Sequence, residues 1–137
     1  MPTLTQADLN GFTGSIDWTR FNPVLFRNVI ASEGMMHVAE AGEAYWLLDA
    51  IASHEAANSK LRAACAADAG CDYLHFWTLT VDLAKKSATL VCRKDSDQPA
   101  IVTQRIKYTD FCLPSLTVYA GNDGPGTPRK LFLPSEY

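Results

Sequence analysis

The hydrophobic pattern of this chain changes near residue 75, from helical spacing before it to strict alternation after it. From Ala44 to Ser53, apolar residues recur at helical spacing around one carboxylate, Asp49. This pattern predicts a buried helix, because a wide apolar stripe has to lie against a sheet or other helices. The helix is expected to continue to about Ala67, since residues 55–67 are rich in Ala and contain no Pro or Gly.

Capping residues predict two shorter helices before this one. Thr5 is followed three residues later by Asp8, which is the spacing of a capping box. Ser32 is a suitable N-cap for a helix that ends at Ala41, before a glycine. Between them, Val24 to Ile30 is compatible with a strand at the edge of a sheet.

Strand patterns fill the second half of the chain. From His75 onward Trp77, Leu79 and Val81 point to one side, which predicts a half-buried strand. Further strands are expected at Ala88–Arg93, Ala100–Tyr108, Leu116–Ala120 and Arg129–Leu133. Helices followed by closely spaced strands predict an α+β fold, with the N-terminal helices packed on one face of a C-terminal antiparallel sheet of about five strands. One α+β domain over residues 1–137 is the expectation for this length.

The other face of the predicted sheet is polar and is expected to be open to a partner. Its candidate binding residues are Thr78, Thr80, Arg93, Thr103 and Arg105. Threonines that alternate with basic residues could also contact single-stranded nucleic acid, but the aromatic residues that stack on bases are sparse in this pattern. We therefore do not expect nucleic acid as the partner.

Composition narrows the class of protein without identifying a function. With 47% hydrophobic and 20% charged residues, the chain is too apolar for a disordered segment. No apolar run approaches the roughly 20 residues of a membrane helix, and the first residues lack the pattern of a signal peptide. We expect a cytoplasmic protein in which Cys65, Cys71, Cys92 and Cys112 are free, mostly buried thiols.

The formal net charge of −3 is unevenly distributed along the chain. Through Ser59 there are seven acidic and two basic residues, whereas from Lys60 onward there are eight acidic and ten basic residues. An acidic helical half does not suit a nucleic-acid duplex or a membrane surface, where clustered Lys and Arg supply much of the affinity. A solvated helix face explains the acidic residues, and a basic protein partner is the alternative.

A carboxylate and histidine group is the candidate for chemistry. His37 and Glu40 are three residues apart on a predicted helix, a grouping that both metals and proton transfer use. Asp49 lies on an apolar helix and must find hydrogen bonds if it is buried. No further metal ligand lies at a defined spacing from these residues. The competing interpretation of His37 and Glu40 is a solvated helix face, and that of Asp49 is a structural hydrogen bond. We expect no metal and no cofactor.

Several stretches together resemble a known protein family: Thr5–Leu9 with Phe12–Gly14, Ala44–Ser53, Tyr108–Phe111 and Leu133–Tyr137. They are similar to a family of small uncharacterised bacterial proteins, a domain of unknown function often carried on plasmids and phages. The tryptophan-containing helix and the Leu-Pro-Ser-Glu-Tyr end are the most specific parts. Cys112 departs from the pattern, which tends to have proline after Thr-Asp-Phe, and the stretch Glu55–Asp72 is longer than usual. The resemblance implies no catalytic residues.

Two functional hypotheses follow. The first is a non-enzymatic protein-interaction module. Because the resembling family is often carried on mobile elements, the resemblance implies an accessory or anti-defence protein that binds a host protein of unknown identity. The alternative is a small hydrolase or nuclease that uses Asp49, or His37 with Glu40. A homodimer joined at a sheet edge or an apolar helix surface is compatible with either hypothesis.

Overall fold

The computed structural model describes residues 4–13, 18–20, 29–57, 74–94, 98–121 and 129–136. Its helices are α1 (Gln6–Asn10), α2 (Glu33–Ala41) and α3 (Tyr45–Ala57), and a short 3₁₀ helix covers Pro134–Glu136. Its strands are β1 (Val29–Ala31), β2 (Leu74–Asp82), β3 (Ser87–Arg93), β4 (Val102–Ile106), β5 (Ser115–Gly121) and β6 (Arg129–Phe132). The fold is thus mixed α and β, with the helices mostly in the N-terminal half.

The strands form a six-stranded sheet in the order β1-β6-β5-β2-β3-β4. Neighbouring strands from β6 to β4 are antiparallel, whereas β1 pairs with β6 in parallel. The prediction of about five antiparallel strands is therefore wrong in number and, at this edge, in direction. The extra strand precedes α2 and α3 in the chain, so it joins the C-terminal strand by a long connection and not by a hairpin. The first part of the predicted edge strand, residues 24–28, lies outside the described residues.

The helix caps form as their sequence spacing predicts. Thr5 Oγ1 accepts a hydrogen bond from Asp8 N, and the Asp8 carboxylate accepts one from Thr5 N, both at 3.2 Å. Ser32 Oγ accepts a hydrogen bond from Met35 N at 3.1 Å and so begins α2. The predicted continuation of α3 from residue 58 to Ala67 lies outside the described residues, as do Cys65 and Cys71; Cys92 and Cys112 are free thiols.

Alternation along the strands separates a buried face of the sheet from a half-exposed one. In β2, Trp77 and Leu79 are buried, while Phe76 and Thr78, which alternate with them, are half-buried. The buried strand residues share one core with the apolar side chains of α2 and α3, among them Met35, Val38, Leu47, Leu48 and Ile51. We call this the inner face of the sheet and the opposite one the outer face. Among the described residues, no helix combines the length and the apolar character that crossing a membrane would require.

Hydrogen bonds of Glu136, which lies in the last turn of the described chain, connect the C-terminal segment to the beginning of α2. The Glu136 carboxylate accepts hydrogen bonds from Ser32 Oγ at 2.6 Å, Gly34 N at 3.2 Å and Leu133 N at 3.0 Å. A negative charge at a helix N-terminus is favourable, because it meets unpaired N–H groups and the positive end of the helix dipole. A Cβ at position 34 would lie 2.6 Å from Glu136 Oε1, so a larger residue there would displace this carboxylate.

Replacing this carboxylate should destabilise the fold. We expect Glu136→Gln to lower the free energy of unfolding by about 2 kcal/mol, because the negative charge is lost and one of the two acceptor oxygens is replaced by an NH2 group that cannot accept a hydrogen bond. Glu40→Gln, at an exposed acid on α2, should change it by less than about 0.5 kcal/mol. Urea denaturation measures both, and equal effects of the two substitutions would contradict this role of Glu136.

Candidate functional site

A buried carboxylate from α3 binds three side chains of the sheet. Glu55 Oε1 accepts a hydrogen bond from Arg129 Nε at 2.6 Å, and Glu55 Oε2 accepts one from Trp77 Nε1 at 2.9 Å. His75 Nδ1 lies 2.9 and 2.8 Å from the two carboxylate oxygens. We call these four residues the Glu55 cluster, which joins α3 to β2 and β6.

Strand geometry explains why these residues meet. His75 and Trp77 are two positions apart on β2, so both point to the inner face. Register places His75 opposite Ala120 of β5, and Ala120 opposite Leu131 of β6. The buried alanine between the two strands is small, and Arg129 at the start of β6 reaches the carboxylate across this part of the sheet.

The Glu55 cluster is almost closed to solvent. The Glu55 side chain is 1% exposed and that of His75 is 4% exposed. Burial alone would raise the pKa of Glu55, but the hydrogen bond and charge of His75, together with Arg129, outweigh burial and lower the pKa below 4.5. Glu55 is therefore ionised at neutral pH, and its charge is balanced inside the protein.

His75 Nδ1 lies between a hydrogen-bond acceptor, Glu55, and a hydrogen-bond donor, Arg129. Arg129 Nη2 lies 2.7 Å from His75 Nδ1, the same atom that faces the Glu55 carboxylate. A protonated Nδ1 donates to Glu55, whereas an unprotonated Nδ1 accepts from Arg129, which can only donate. The position of one proton thus decides which partner His75 binds.

The thiol of Cys92 lies close to Glu55 and His75 of the Glu55 cluster. Ligand atoms of Glu55, His75 and Cys92 all lie within 4.8 Å of one another, and oxygen, nitrogen and sulfur ligands of this kind suit zinc. However, the Arg129 guanidinium already contacts the carboxylate and the imidazole, and its fixed positive charge opposes a divalent cation. A metal could bind these residues only if Arg129 moved away.

Cys92 is also poorly suited to nucleophilic catalysis. Burial raises the pKa of the Cys92 thiol well above its ordinary value of 9.0, and the neighbouring Glu55 charge raises it further. Arg129 and Arg93 act in the opposite direction but do not compensate. Since the thiolate is the reactive form, Cys92 is inert at neutral pH.

The outer face of the sheet carries a row of aromatic rings. Phe76, Tyr119 and Phe132 are register partners on β2, β5 and β6, with ring centroids 4.8 and 5.8 Å apart. Trp18 continues the row 6.3 Å beyond Phe132, and Lys130 Nζ lies 5.1 Å above the Trp18 ring. All four rings are half-exposed. We call this set the aromatic row.

All five residues predicted to bind a partner lie on this outer face. Thr78 pairs with Val91, which pairs with Thr103, and Thr80 pairs with Thr89, which pairs with Arg105. Arg93 lies opposite Phe76 on the same face. Their role in binding stays a prediction. The number of aromatic residues on this face could not be predicted from the sequence, because only the register brings Tyr119 and Phe132 next to Phe76.

The three residues proposed for chemistry lie on α2 and α3, and His37 Nε2 is a buried atom without a hydrogen-bond partner among the described residues. His37 lies on α2, where its ring is 5.3 Å from Phe12 and its Nε2 is 3.9 Å from Asp8 Oδ2, too far for a hydrogen bond. Glu40 is exposed on α2, and Asp49 is half-buried on α3. Their catalytic use stays untested. Sequence reasoning missed the Glu55 cluster, although one signal was present: His75 occupies a buried position in the alternation of its strand.

Comparisons with known proteins identify a family but no function. A model described as a family of unknown function (DUF6876) matches residues 3–137. No curated protein and no solved structure matches the chain.

Breaking the Glu55 cluster should destabilise the protein strongly. Glu55→Gln leaves the buried Arg129 charge unbalanced, so we expect the free energy of unfolding to fall by about 3 kcal/mol. Asp49→Asn, at a half-buried carboxylate on the same helix, should cost less than about 1 kcal/mol. Chemical denaturation of both variants tests this expectation, which fails if Asp49→Asn is the more damaging substitution.

The pH dependence of stability should carry the signature of Glu55. Because folding lowers the pKa of Glu55, its contribution is complete above the unfolded value of 4.5 and is lost as pH falls through the folded-state pKa. The difference in unfolding free energy between the wild type and Glu55→Gln should therefore shrink below pH 4.5. Urea titrations from neutral pH to about pH 3 measure it. A difference that stays constant with pH would contradict a lowered pKa.

Proposed function

Because this chain belongs to a family of unknown function, DUF6876, we propose a function from the arrangement of its residues: a non-enzymatic interaction module that binds a macromolecular partner through the outer face of its sheet. The observation that carries this proposal is the composition of that face. It combines half-exposed aromatic rings with threonine hydroxyls and with Arg93 and Arg105. Aromatic and arginine side chains are the residues most enriched at binding hot spots.

The difference between the two faces of the sheet supports the proposal. In our interpretation, α2 and α3 pack on the inner face, so that neither of them covers the outer face. The hydrogen bonds of α3 support it, since they reach Gln104, His75, Trp77 and Arg129 on the inner face. The four rings of the aromatic row lie together on that face and are only partly buried.

Residues of the stretches on which the resemblance rests have structural contacts, which in our interpretation favours binding over catalysis. Glu136 fastens the C-terminus to α2, and Phe111 is buried with its N–H bonded to Thr109 Oγ1 at 3.1 Å. The alternative, a hydrolase or nuclease, needs an accessible carboxylate and histidine. Glu55 and His75 provide the pair, but they are buried and engaged with Arg129. A host protein as partner, a mobile-element setting and dimerisation stay predictions.

Site-specific photo-crosslinking tests the proposed surface. A photoreactive amino acid replaces Thr103, which is exposed on the outer face, or Glu40, which is exposed on α2. In a lysate of the organism that carries the chain, irradiation should give a discrete adduct from position 103 and none from position 40. The adduct is analysed with nuclease and with protease, so that protein and nucleic-acid partners are both detected.

Either of two results would contradict the proposal. One is an adduct from position 40 without one from position 103, because the partner would then contact the helices. The other is the absence of an adduct from position 103 and from a second outer-face position, Arg105. Both positions are exposed, so neither substitution should unfold the protein.

A further inference from the structure

We infer that two copies of this chain associate through the edge of the sheet at β4, where the two β4 strands pair antiparallel about a two-fold axis at Gln104. The inference goes beyond the proposed function, because the edge of the sheet is a second surface beside the outer face. Three features of the described residues support it: the unpaired side of β4, the covered edge at β1, and the match between two β4 strands in this register.

One side of β4 has no strand beside it in the described part of the chain. The strand covers Val102–Ile106 and is the last of the sheet, where it pairs with β3. In such an edge strand, alternate backbone N–H and C=O groups point away from the sheet and bind either water or a further strand. Among the described residues, no backbone hydrogen bond joins residues 102–106 to an element other than β3. This backbone is therefore available to a strand of another molecule.

The opposite edge of the sheet, at β1, is partly covered by the chain itself. Ala31 N donates a hydrogen bond to Thr19 O at 2.8 Å, and Thr19 N donates one to Ala31 O at 2.9 Å. Natural sheets protect their edges with such covering segments, or with proline, a bulge or charged side chains. In β4 the register with β3 is continuous over five residues, none of them is proline, and Arg105 is the single charge. The β4 edge is thus the less protected of the two.

Pairing about Gln104 gives every residue of β4 a suitable partner in the second copy. The axis places Val102 opposite Ile106 and Thr103 opposite Arg105, while Gln104 meets its own equivalent. In a continuous sheet, residues of one face pair with residues of the same face, and this register satisfies that condition. The apolar pairs lie on the inner face, beside the core, and the polar pairs lie on the outer face.

The neighbouring two-fold registers are less favourable. An axis at Arg105 sets two arginine side chains directly opposite each other, and like charges in that position destabilise a strand pair. An axis at Thr103 sets Gln104 opposite the apolar Val102 and leaves Ile106 without a partner in β4. The axis at Gln104 avoids both mismatches, because it offsets the two Arg105 side chains by two positions along the strands.

Contact across this axis includes more than the strand backbones, as a stable dimer requires. Ile101 and Ile106 are half-buried against the core at this edge, so a second copy covers apolar surface that one copy leaves exposed. His54 Nε2 lies 2.8 Å from Gln104 Oε1, which places this part of α3 over the inner face of β4. Because the axis passes at Gln104, it brings the α3 helices of the two copies towards each other.

A second copy also accounts for the different treatment of the two edges. A two-fold interface uses the same surface on both copies, so pairing at β4 leaves neither copy with an open β4 edge. The remaining edges, at β1, are the ones that Thr19 partly covers. The assembly therefore closes at two copies, and the outer faces of the two sheets join into one continuous surface.

Analytical ultracentrifugation of the full chain from about 1 to 100 µM tests the inference. The mass should shift with concentration from the 15.0 kDa of one chain to twice that value. Thr103→Glu should tighten the dimer about fivefold, because the new carboxylate faces Arg105 at two symmetric places, and Thr103→Lys should weaken it about fivefold. Thr80→Glu and Thr80→Lys make the same charge changes on β2, away from the edge, and should leave the dissociation constant unchanged. Positions 80 and 103 are both exposed, so all four variants should fold.

Photo-crosslinking of the purified protein tests the register. A photoreactive amino acid at position 103 should give an adduct of twice the chain mass, and the modified peptide should contain Arg105. The same amino acid at position 80 should give no adduct of this mass. Because the self-adduct forms without a lysate, it is distinguished from any adduct with a different partner.

Three results would overturn the inference. The first is the mass of a single chain up to about 100 µM. The second is a dimer whose dissociation constant changes in the same direction, or not at all, in Thr103→Glu and Thr103→Lys. The third is a self-adduct from position 103 that maps outside β4. If the chain is monomeric and position 103 cross-links a different macromolecule in a lysate, the dimer is wrong and the proposed function stands.

Discussion

The contact between the Glu55 carboxylate and the sheet connects the helical layer to the strands. One side chain of α3 accepts hydrogen bonds from Trp77 on β2 and Arg129 on β6, strands that are separated by β5. A buried charge is tolerable only when its partners are in place, so the contact requires the end of α3 to lie beside Trp77 and Arg129. The position of this helix end and the order of the strands therefore depend on each other.

The same arrangement explains why the reactive side chains that meet on the inner face form no evident reactive site within the described part of the chain. A carboxylate, an imidazole and a thiol meet on the inner face, yet Arg129 contacts the first two and balances the charge of the carboxylate, while burial suppresses ionisation of the thiol. Desolvation makes such groups expensive unless they are paired, and pairing removes them from chemistry. The polar groups of the outer face are exposed or half-buried, and they are the basis of the proposal that this face binds a partner.

Local features of the fold could be predicted from the sequence because they depend on neighbouring residues. The capping box of Thr5 with Asp8 and the Ser32 cap involve residues three positions apart, and the alternation around Trp77 follows from the period of a strand. The resemblance to a family of unknown function also rests on sequence and is confirmed. The role of Glu136 was beyond such reasoning, because its partner Ser32 is more than a hundred residues away.

By itself, the sequence determined which segments become helices and strands, which side of each strand is apolar, and that acidic and basic residues are concentrated in different halves. Tertiary structure alone decided that β1 pairs in parallel with β6, that Glu55 meets His75 and Arg129, and that Phe76, Tyr119 and Phe132 form one row. The physical reason is the distance in sequence between the residues that interact. Periodicity and capping arise within one or two turns of chain, whereas register and strand order arise from pairing between residues distant in the sequence.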